Sequence, residues 1–261
     1  MRSPHVRFLE EAAKLGNVHL LLWSDAAVRS LTGKDPKFPQ AERLYLAQAL
    51  RYVKDVRLAD GAIQADELPP LTDLRPDLWA VDEPHDTPAK HAFCKAHGLA
   101  CHVVTSRNFA GYPKPDLEIA APAPGRKKVL VTGCYDWFHS GHIRFFEEVS
   151  ELGDLYVVVG NDANVEHLKG KGHPLFREDE RRYLCASMRY VRQCLISTGM
   201  GWLDAEPEIR RIKPDMYAVN EDGDKPEKSG YCAKNGIQYV VLKRLPKEGL
   251  TKRSSTNLRG F

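Results

Sequence analysis

The chain has 261 residues, 43% of them apolar and 28% charged, with a formal net charge of +3. These values are typical of a soluble globular protein with one large core or two ordinary ones, and the small net charge argues against wholesale nucleic-acid binding. No apolar run is long enough to cross a bilayer, no signal-peptide pattern is visible, and the six cysteines are scattered, so we expect a cytoplasmic protein with buried thiols.

Sequence segments of the first half of the chain recur in the same order in the second half. The matching pairs are SPHVRFLEEAAKLG (3–16) with SGHIRFFEEVSELG (140–153), AERLYLAQALRYV (41–53) with DERRYLCASMRYV (179–191), and PDLWAV (76–81) with PDMYAV (214–219). The offset is 137 residues at first and 138 later. Order and spacing hold over about 100 residues, which predicts a tandem duplication of one domain rather than a solenoid of short units.

A segment rich in proline and alanine, GYPKPDLEIAAPAPGRKK (111–128), separates the copies and is predicted to be an extended linker. The boundary is expected near residue 123. We therefore predict a degenerate domain over residues 1–123 and a complete domain over residues 124–261.

Strands and helices alternate in the second copy. The predicted strands are Val129–Thr132, Leu155–Gly160, Val191–Ile196, Asp215–Val219 and Gln238–Leu242, and the predicted helices are Ile143–Leu152, Glu178–Tyr190 and a segment near 226–235. This order predicts an α/β fold whose parallel sheet is covered on both faces, with ligands at the carboxyl ends of the strands. The first copy has no counterpart of Val129–Thr132, so either the natural chain starts earlier or the first sheet lacks its central strand.

The sequence HSGH (139–142) follows the first strand of the second copy, where a ligand is expected. His139 and His142 share one helical face, and a helix start favours anions. Gly141 allows close backbone approach, and the imidazoles can donate hydrogen bonds to phosphate oxygens. The alternative is a capped helix start with one packed and one exposed histidine; a zinc pair is less favoured because metal-binding histidines on a helix are more often four residues apart.

Three segments in order carry a family resemblance: VTGCYDWFHSGH (131–142), HLKGKGHPLFREDERRYL (167–184) and RSSTNLR (253–259). Together they resemble the cytidylyltransferase-like nucleotidyltransferases, over the whole second copy and weakly over the first. The resemblance implies a Rossmann-like α/β domain that joins a nucleoside triphosphate to a phosphorylated or acidic acceptor and releases pyrophosphate, with Mg²⁺ bound to the nucleotide. It also implies that the first copy is degenerate, because Arg2, Pro4 and Thr32 stand where His139, Gly141 and Lys169 stand in the second.

The resemblance also implies roles for individual residues. His139, His142 and Lys169 would be catalytic. The implied nucleotide-binding residues are Gly133, Tyr135, Gly141, Arg181, Ser255, Thr256 and Arg259. Asp136 and Asp222 would contact the acceptor. No metal ligand is expected from the protein.

Each role has a structural alternative. Lys169 lies in a glycine-rich loop where it could simply be solvated, and Arg181 has a counterpart, Arg43, in the degenerate copy, which makes a structural role plausible. Asp136 and Ser255 could be helix caps. The segment HAFCKAHGLACH (91–102) could suggest zinc, but a helix with a buried Cys94 is the favoured interpretation.

Within the family, the layout is most similar to the ethanolamine-phosphate cytidylyltransferases, which implies CTP and phosphoethanolamine as substrates in phospholipid-precursor synthesis. Adenylyl transfer and a non-catalytic, nucleotide-binding regulatory role remain open. One departure is that relatives usually have R-T-x-G before the S-T-T segment, where this chain has Leu250 and Arg253 at the arginine and glycine places. The two copies are expected to pack as a pseudo-dimeric monomer.

Overall fold

Strands and helices alternate along both halves of the chain in the computed structural model, which describes residues 2–61, 64–71, 73–255 and 258. The chain divides into two compact units, unit 1 (Met1–Gly111) and unit 2 (Tyr112–Phe261). Among the described residues, no helix has the length and apolar character needed to span a membrane.

Unit 1 contains two separate pairs of parallel strands, β1 with β2 and β3 with β4. Its elements are α1 (Ser3–Ala13), β1 (Val18–Trp23), α2 (Asp25–Thr32), α3 (Gln40–Gln48), β2 (Val53–Ala59), β3 (Leu78–Asp82), α4 (Pro88–Ala96) and β4 (Ala100–Val104). No strand joins the two pairs within the part of unit 1 that the structure describes.

Unit 2 contains one five-stranded parallel sheet in the order β7-β6-β5-β8-β9. Its elements are β5 (Lys128–Gly133), α5 (Ser140–Leu152), β6 (Asp154–Val159), α6 (Asp162–Lys169), α7 (Glu178–Ala186), β7 (Val191–Ile196), α8 (Glu206–Ile212), β8 (Met216–Asn220), α9 (Pro226–Lys234) and β9 (Gln238–Leu242). The central strand β5 is apolar and fully buried over 129–131, as a parallel strand covered on both faces requires. The predicted α/β fold with parallel sheets is confirmed.

The helix predicted over Glu178–Tyr190 is too long, since α7 ends at Ala186. The backbone N–H of Ser187 still bonds to Tyr183 O, and the chain then turns before Val191 enters β7. The apolar spacing continues through Met188, which is buried without being helical. A helix and a following strand cannot adjoin without turn residues, and periodicity alone does not mark those residues.

The segment predicted to be a linker packs on unit 2. Tyr156 Oη donates to Ala120 O (2.5 Å), and Ala123 N donates to Asp154 Oδ2 (2.6 Å). These bonds lie along β6, so this segment adds to the body of unit 2. The domain limits at residue 123 remain a prediction.

The sheet order places a switch point beside β5. The chain leaves β5 towards β6 and β7 on one side, then crosses back to β8 and β9 on the other. Helices that follow β5 and β8 therefore diverge, and a crevice opens at the carboxyl ends of these two strands. The HSGH segment follows β5 and so lies at this crevice.

Candidate active site

Helix α5 begins at the first histidine of HSGH. His139 is the N-cap residue, and its Nδ1 accepts a hydrogen bond from the backbone N–H of Gly141 (3.0 Å). A ring nitrogen that accepts carries no proton, so a neutral His139 has its proton on Nε2. Nε2 is buried and has no hydrogen-bond partner among the described residues. The helix start is thus capped, as the structural alternative expected, and the cap is the Nδ1 of His139.

The ring of His142 stacks on that of His139 at a centroid distance of 3.9 Å. It also packs against Tyr135 and Phe138, and its Nδ1 is buried without a partner in the described part of the chain. Burial lowers the pKa of His139 to about 4, with further lowering from Arg244 and Arg253. Burial also lowers the pKa of His142 well below 6.5. Both imidazoles are therefore neutral at neutral pH.

Two glycines shape the loop around the histidines. A Cβ on Gly141 would lie 2.9 Å from His139 Cε1, and one on Gly133 would lie 2.8 Å from Tyr135 Cζ. Tyr135 itself has a φ of 53°, in the left-handed region, and its buried hydroxyl has no partner among the described residues. Tyr135 is strained and buried, and the glycines on either side of it lie close to neighbouring side chains. This loop is therefore held in one conformation.

Asp136 ties this loop to the segment after α6. Its Oδ1 accepts from the backbone N–H groups of Leu175 (2.8 Å) and Phe176 (3.0 Å), and the side chain is buried. Asp136 is not the cap of α5, since His139 occupies that position. The carboxylate positions the segment that begins beyond Lys169.

Arg181 is not brought to the open face. Its side chain is fully buried, and its guanidinium donates to Phe176 O (2.8 Å), Cys134 O (2.6 Å), Gly160 O (2.8 Å) and Asp162 Oδ1 (2.7 Å). These bonds hold the carboxyl ends of β5 and β6 to the start of α7. The geometry favours the structural alternative for this residue.

A pocket opens at the carboxyl ends of β5 and β8, and we call it the strand-end pocket. Its lining residues are Thr132, Gly133, Cys134, Tyr135, Gly141, His142, Phe145, Ala218, Val219, Asn220, Asp222, Gly223, Lys228 and Arg244. Asp222 pairs with Arg244 there. Five predicted site residues thus line this pocket: Gly133, Tyr135, Gly141, His142 and Asp222.

Of the remaining predicted residues, two do not line this pocket and two lie outside the described residues. Lys169 is the last residue of α6 and is exposed, and its charge helps to lower the pKa of His142. Ser255 Oγ lies 3.5 Å from Trp137 O, on the loop that precedes HSGH. Thr256 and Arg259 lie outside the described residues.

Three lining residues with amide or charged side chains were missed by the sequence analysis. Asn220 ends β8, with a buried Oδ1 that has no partner in the described chain. Lys228 lies with its Nζ 3.2 Å from Gly223 O and 6.0 Å from the centre of the Tyr217 ring, and burial lowers its pKa. Arg244 follows β9. Their shared signal is position, since each lies at or after the carboxyl end of β8 or β9.

The cysteine- and histidine-rich segment 91–102 lies in α4 and β4 of unit 1. Cys94 is buried, His91 Nε2 lies 2.7 Å from Asp86 Oδ1, and His97 stacks on Phe93. These side chains are engaged with separate neighbours. Among the described residues, no group of three or more His, Cys, Asp or Glu side chains could hold a metal ion.

Comparison with known proteins finds a matching family and several similar proteins. Residues 130–259 match the cytidylyltransferase-like family. An FAD synthase of Aciduliprofundum boonei is 35% identical over 125 residues, which cover 47% of this chain and 80% of that protein. An FAD synthase of Ferroglobus placidus is 33% identical over 135 residues, covering 51% of this chain and 85% of that protein.

Two further similarities are partial. The bifunctional protein HldE of Campylobacter concisus is 35% identical over 109 residues, covering 41% of this chain but only 22% of that protein. The crystal structure of the lipopolysaccharide core biosynthesis protein from Thermoplasma volcanium GSS1 aligns with a TM-score of 0.40 and 27% identity, covering 48% of this chain and 100% of that chain.

Proposed function

The chain belongs to the cytidylyltransferase-like family of nucleotidyltransferases, and from that membership we propose that unit 2 transfers a nucleotidyl group from a nucleoside triphosphate to a small phosphorylated acceptor. An acceptor oxygen would form a bond to the α-phosphorus. The bond from that phosphorus to the bridging oxygen of the β-phosphate would break, and pyrophosphate would leave with the electron pair.

The pair of neutral histidines carries this proposal. Buried ring nitrogens without partners are costly unless a ligand satisfies them, and His139 Nε2 and His142 Nδ1 are two such atoms among the described residues. His142 lines the strand-end pocket, and the ring of His139 stacks on it. Imidazole N–H donors aimed at phosphoryl oxygens stabilise the charge that develops there in the transition state. The stacked rings are fixed before the substrate arrives, so little reorganisation is needed.

Other residues take supporting roles in the proposal. Lys169 supplies positive charge from the end of α6, and Ser255 binds terminal phosphates together with Thr256 and Arg259. Gly133, Tyr135 and Gly141 shape the nucleotide contact. Asp136 acts through the segment at Leu175, and Asp222 faces the acceptor or nucleotide from the other wall. Arg181 supports the framework on which the nucleotide binds.

Mg²⁺ is proposed to arrive with the triphosphate. The strand-end pocket offers one carboxylate, Asp222, and that group is paired with Arg244. We therefore propose that phosphate oxygens of the triphosphate supply the magnesium ligands.

Two donors are candidates, and each has its own support. Flavin adenine dinucleotide contains an adenylyl group joined to a flavin phosphate, so the relatives named FAD synthase favour ATP and a phosphate monoester acceptor. The segments GCYDWFHSGH (133–142) and HLKGKGHPLFREDER (167–181) resemble those of the ethanolamine-phosphate cytidylyltransferases. This resemblance favours CTP and phosphoethanolamine as the substrates. Both reactions use a phosphate monoester as the acceptor.

An assay of pyrophosphate release tests the proposal. The whole protein would be incubated with Mg²⁺, each of the four nucleoside triphosphates, and a panel that includes flavin mononucleotide and phosphoethanolamine. We expect turnover with ATP or CTP and one phosphate monoester. Nucleotide binding without turnover in any combination would instead support a non-catalytic regulatory protein.

Unit 1 is proposed to act as a scaffold. Arg2 caps α1 where His139 caps α5, and Pro4 and Thr32 stand at the places of Gly141 and Lys169. The donors and charges proposed for the reaction are thus missing from these positions in unit 1.

A further inference from the structure

One cationic residue of the strand-end pocket has no acidic partner. The Nζ of Lys228 donates to Gly223 O at 3.2 Å and lies 6.0 Å from the centre of the Tyr217 ring. Within the described part of the chain Lys228 forms no salt bridge, whereas the arginine of the pocket, Arg244, pairs with Asp222. A half-buried ammonium is costly unless a negative charge compensates it, and burial accordingly lowers the pKa of Lys228.

Unit 1 contains the corresponding lysine in a salt bridge. By the 138-residue offset between the two halves, Lys90 corresponds to Lys228. Its Nζ lies 5.8 Å from the centre of the Trp79 ring, and Trp79 corresponds to Tyr217. The same Nζ donates to Asp66 Oδ1 at 2.6 Å, and Lys90 is buried. Both units thus place a lysine over an aromatic ring, and in unit 1 a carboxylate compensates its charge.

The aspartate of that salt bridge has a counterpart in unit 2 that bonds elsewhere. Asp204 corresponds to Asp66, and its Oδ2 accepts a hydrogen bond from Ser197 Oγ at 2.6 Å. Ser197 is buried and corresponds to Ala59, which offers no hydroxyl. The serine therefore holds Asp204 in unit 2, and among the described residues no carboxylate takes its place on Lys228.

The strand-end pocket has room for a negatively charged group on Lys228. Its volume is about 160 Å³, and a cavity of about 150 Å³ is enough to hold a benzene molecule. His142, the proposed donor to the phosphoryl oxygens, lines the same pocket. A small ligand in this pocket can therefore contact the histidine and the lysine together.

We propose that Lys228 selects the acceptor by binding a carboxylate that the acceptor carries in addition to its phosphate. The inference rests on the proposed function, in which the acceptor phosphate reacts beside His142. The contact of Asp66 with Lys90 shows how a carboxylate lies on a lysine at this place in the fold. An ammonium group, such as that of phosphoethanolamine, would face Lys228 with the same charge, and like charges in contact are costly. The acceptor class is thus a small phosphate monoester with a carboxylate.

Two ligands that differ at one group test this preference. In 3-phosphoglycerate a carboxylate takes the place of the terminal hydroxymethyl group of glycerol 3-phosphate. Calorimetric titrations of the full chain should give an affinity for 3-phosphoglycerate at least about tenfold higher, because a hydrogen bond between charged groups is stronger than one to a hydroxyl. Phosphoethanolamine should bind more weakly than both. Equal affinities for the first two ligands, or no binding of either, would overturn the inference.

Variants of Lys228 assign the preference to this residue. Lys228→Met should remove the difference in affinity between the two ligands, and Lys228→Arg should retain part of it because the charge is kept. Lys234→Met is the matched control, since Lys234 is an exposed lysine at the end of the same helix, and it should match the wild type. A preference for 3-phosphoglycerate that persists in Lys228→Met would contradict the role of this lysine.

The hydrogen bond of Ser197 provides an independent test. Ser197→Ala removes the hydroxyl, so we expect Asp204 to pair with Lys228. The ligand must then displace a carboxylate, which should weaken binding of 3-phosphoglycerate at least about tenfold. Ser197→Ala/Asp204→Asn lacks the competing charge and should bind this ligand as the wild type does. Equal affinities of the single and double variants would show that Asp204 does not compete with the ligand for Lys228.

The outcomes separate this inference from the proposed function. Absence of turnover with every triphosphate and acceptor would overturn the proposed function, while the titrations would still decide about Lys228. Turnover with phosphoethanolamine or flavin mononucleotide at a kcat/KM that Lys228→Met leaves unchanged would overturn this inference and leave the proposed function standing. Thermal unfolding verifies the fold of each variant, and the comparison of the two ligands on the wild type does not depend on any variant.

Discussion

The imidazoles of HSGH are titratable groups held away from water, and this affects stability as well as binding. The pKa of His139 is about 4 in the folded protein because burial disfavours the charged form, whereas its ordinary value is 6.5. Between these two pH values the unfolded chain binds a proton that the folded protein does not. The free energy of unfolding must therefore fall as the pH falls through this window. The lowered pKa of His142 likewise makes the free energy of unfolding fall as the pH falls.

Replacement of His139 by glutamine should make stability less dependent on pH. The wild type should lose about 2 kcal/mol of unfolding free energy from this histidine between pH 7 and pH 5, and the variant should not. Urea titrations at the two pH values measure the difference. His167→Gln, which removes an exposed histidine of α6, is the matched control and should keep the wild-type pH dependence. Equal pH dependence in wild type and His139→Gln would show that the imidazole is not desolvated.

Loss of one proposed donor should be visible in turnover. We expect His142→Ala to lower kcat by at least about 100-fold, because the neutral imidazole would donate to charge that develops only in the transition state. His142→Gln retains an N–H donor and should recover part of that loss. Steady-state kinetics with the best substrate pair provide the test, with thermal unfolding to verify the fold. Near-normal turnover in His142→Ala would mean that the histidines serve packing alone.

At the scale of elements, an arginine joins helix to strand ends in each unit, fully buried in unit 2 and partly buried in unit 1. Arg43 donates to Phe38 O, Trp23 O and Asp25 Oδ1 in unit 1. Arg181 makes the matching bonds to Phe176 O, Gly160 O and Asp162 Oδ1 in unit 2. The shared pattern supports the proposed duplication and accounts for an arginine kept in the copy that lacks the histidine pair.

Removal of Arg181 should therefore affect stability first. Arg181→Met leaves several buried carbonyl oxygens without a donor, so we expect a loss of at least about 3 kcal/mol in the free energy of unfolding. Arg210→Met, on the exposed face of α8, should change it by no more than about 0.5 kcal/mol. Urea denaturation, followed by circular dichroism, measures the free energy of unfolding of both variants. A loss as small as that of the control would argue against this role in the framework.

Much of unit 2 could be predicted from local pattern, and much of its site could not. Apolar β-branched runs marked the strands, and HSGH marked the start of α5, because both signals lie within a few neighbouring residues. Asn220, Lys228 and Arg244 come from distant parts of the chain. They meet His142 only because β8 and β9 lie on the far side of β5, and sequence periodicity does not determine that strand order.

At the scale of the whole molecule, the two units differ in how their sheets are completed. In unit 2, β5 joins the β6–β7 pair to the β8–β9 pair. In unit 1 the corresponding pairs, β1–β2 and β3–β4, form separate sheets. The described residues include 13 buried apolar residues in unit 1 and 29 in unit 2. Because buried apolar area is the main stabilising contribution and isolated strand pairs are marginal, unit 1 should be the less stable unit.

Unit 1 should consequently unfold at a lower urea concentration than unit 2. The four tryptophans permit a direct test, since Trp23 and Trp79 lie in unit 1 and Trp137 and Trp202 in unit 2. A double Trp→Phe variant at 137 and 202 reports on unit 1 by fluorescence, and the double variant at 23 and 79 reports on unit 2. We expect two separate midpoints, with a larger m value for unit 2, because more surface is exposed when a larger core unfolds. Coincident transitions in the two variants would instead mean that the units unfold as one cooperative structure, with unit 1 as stable as the sheet that carries the candidate site.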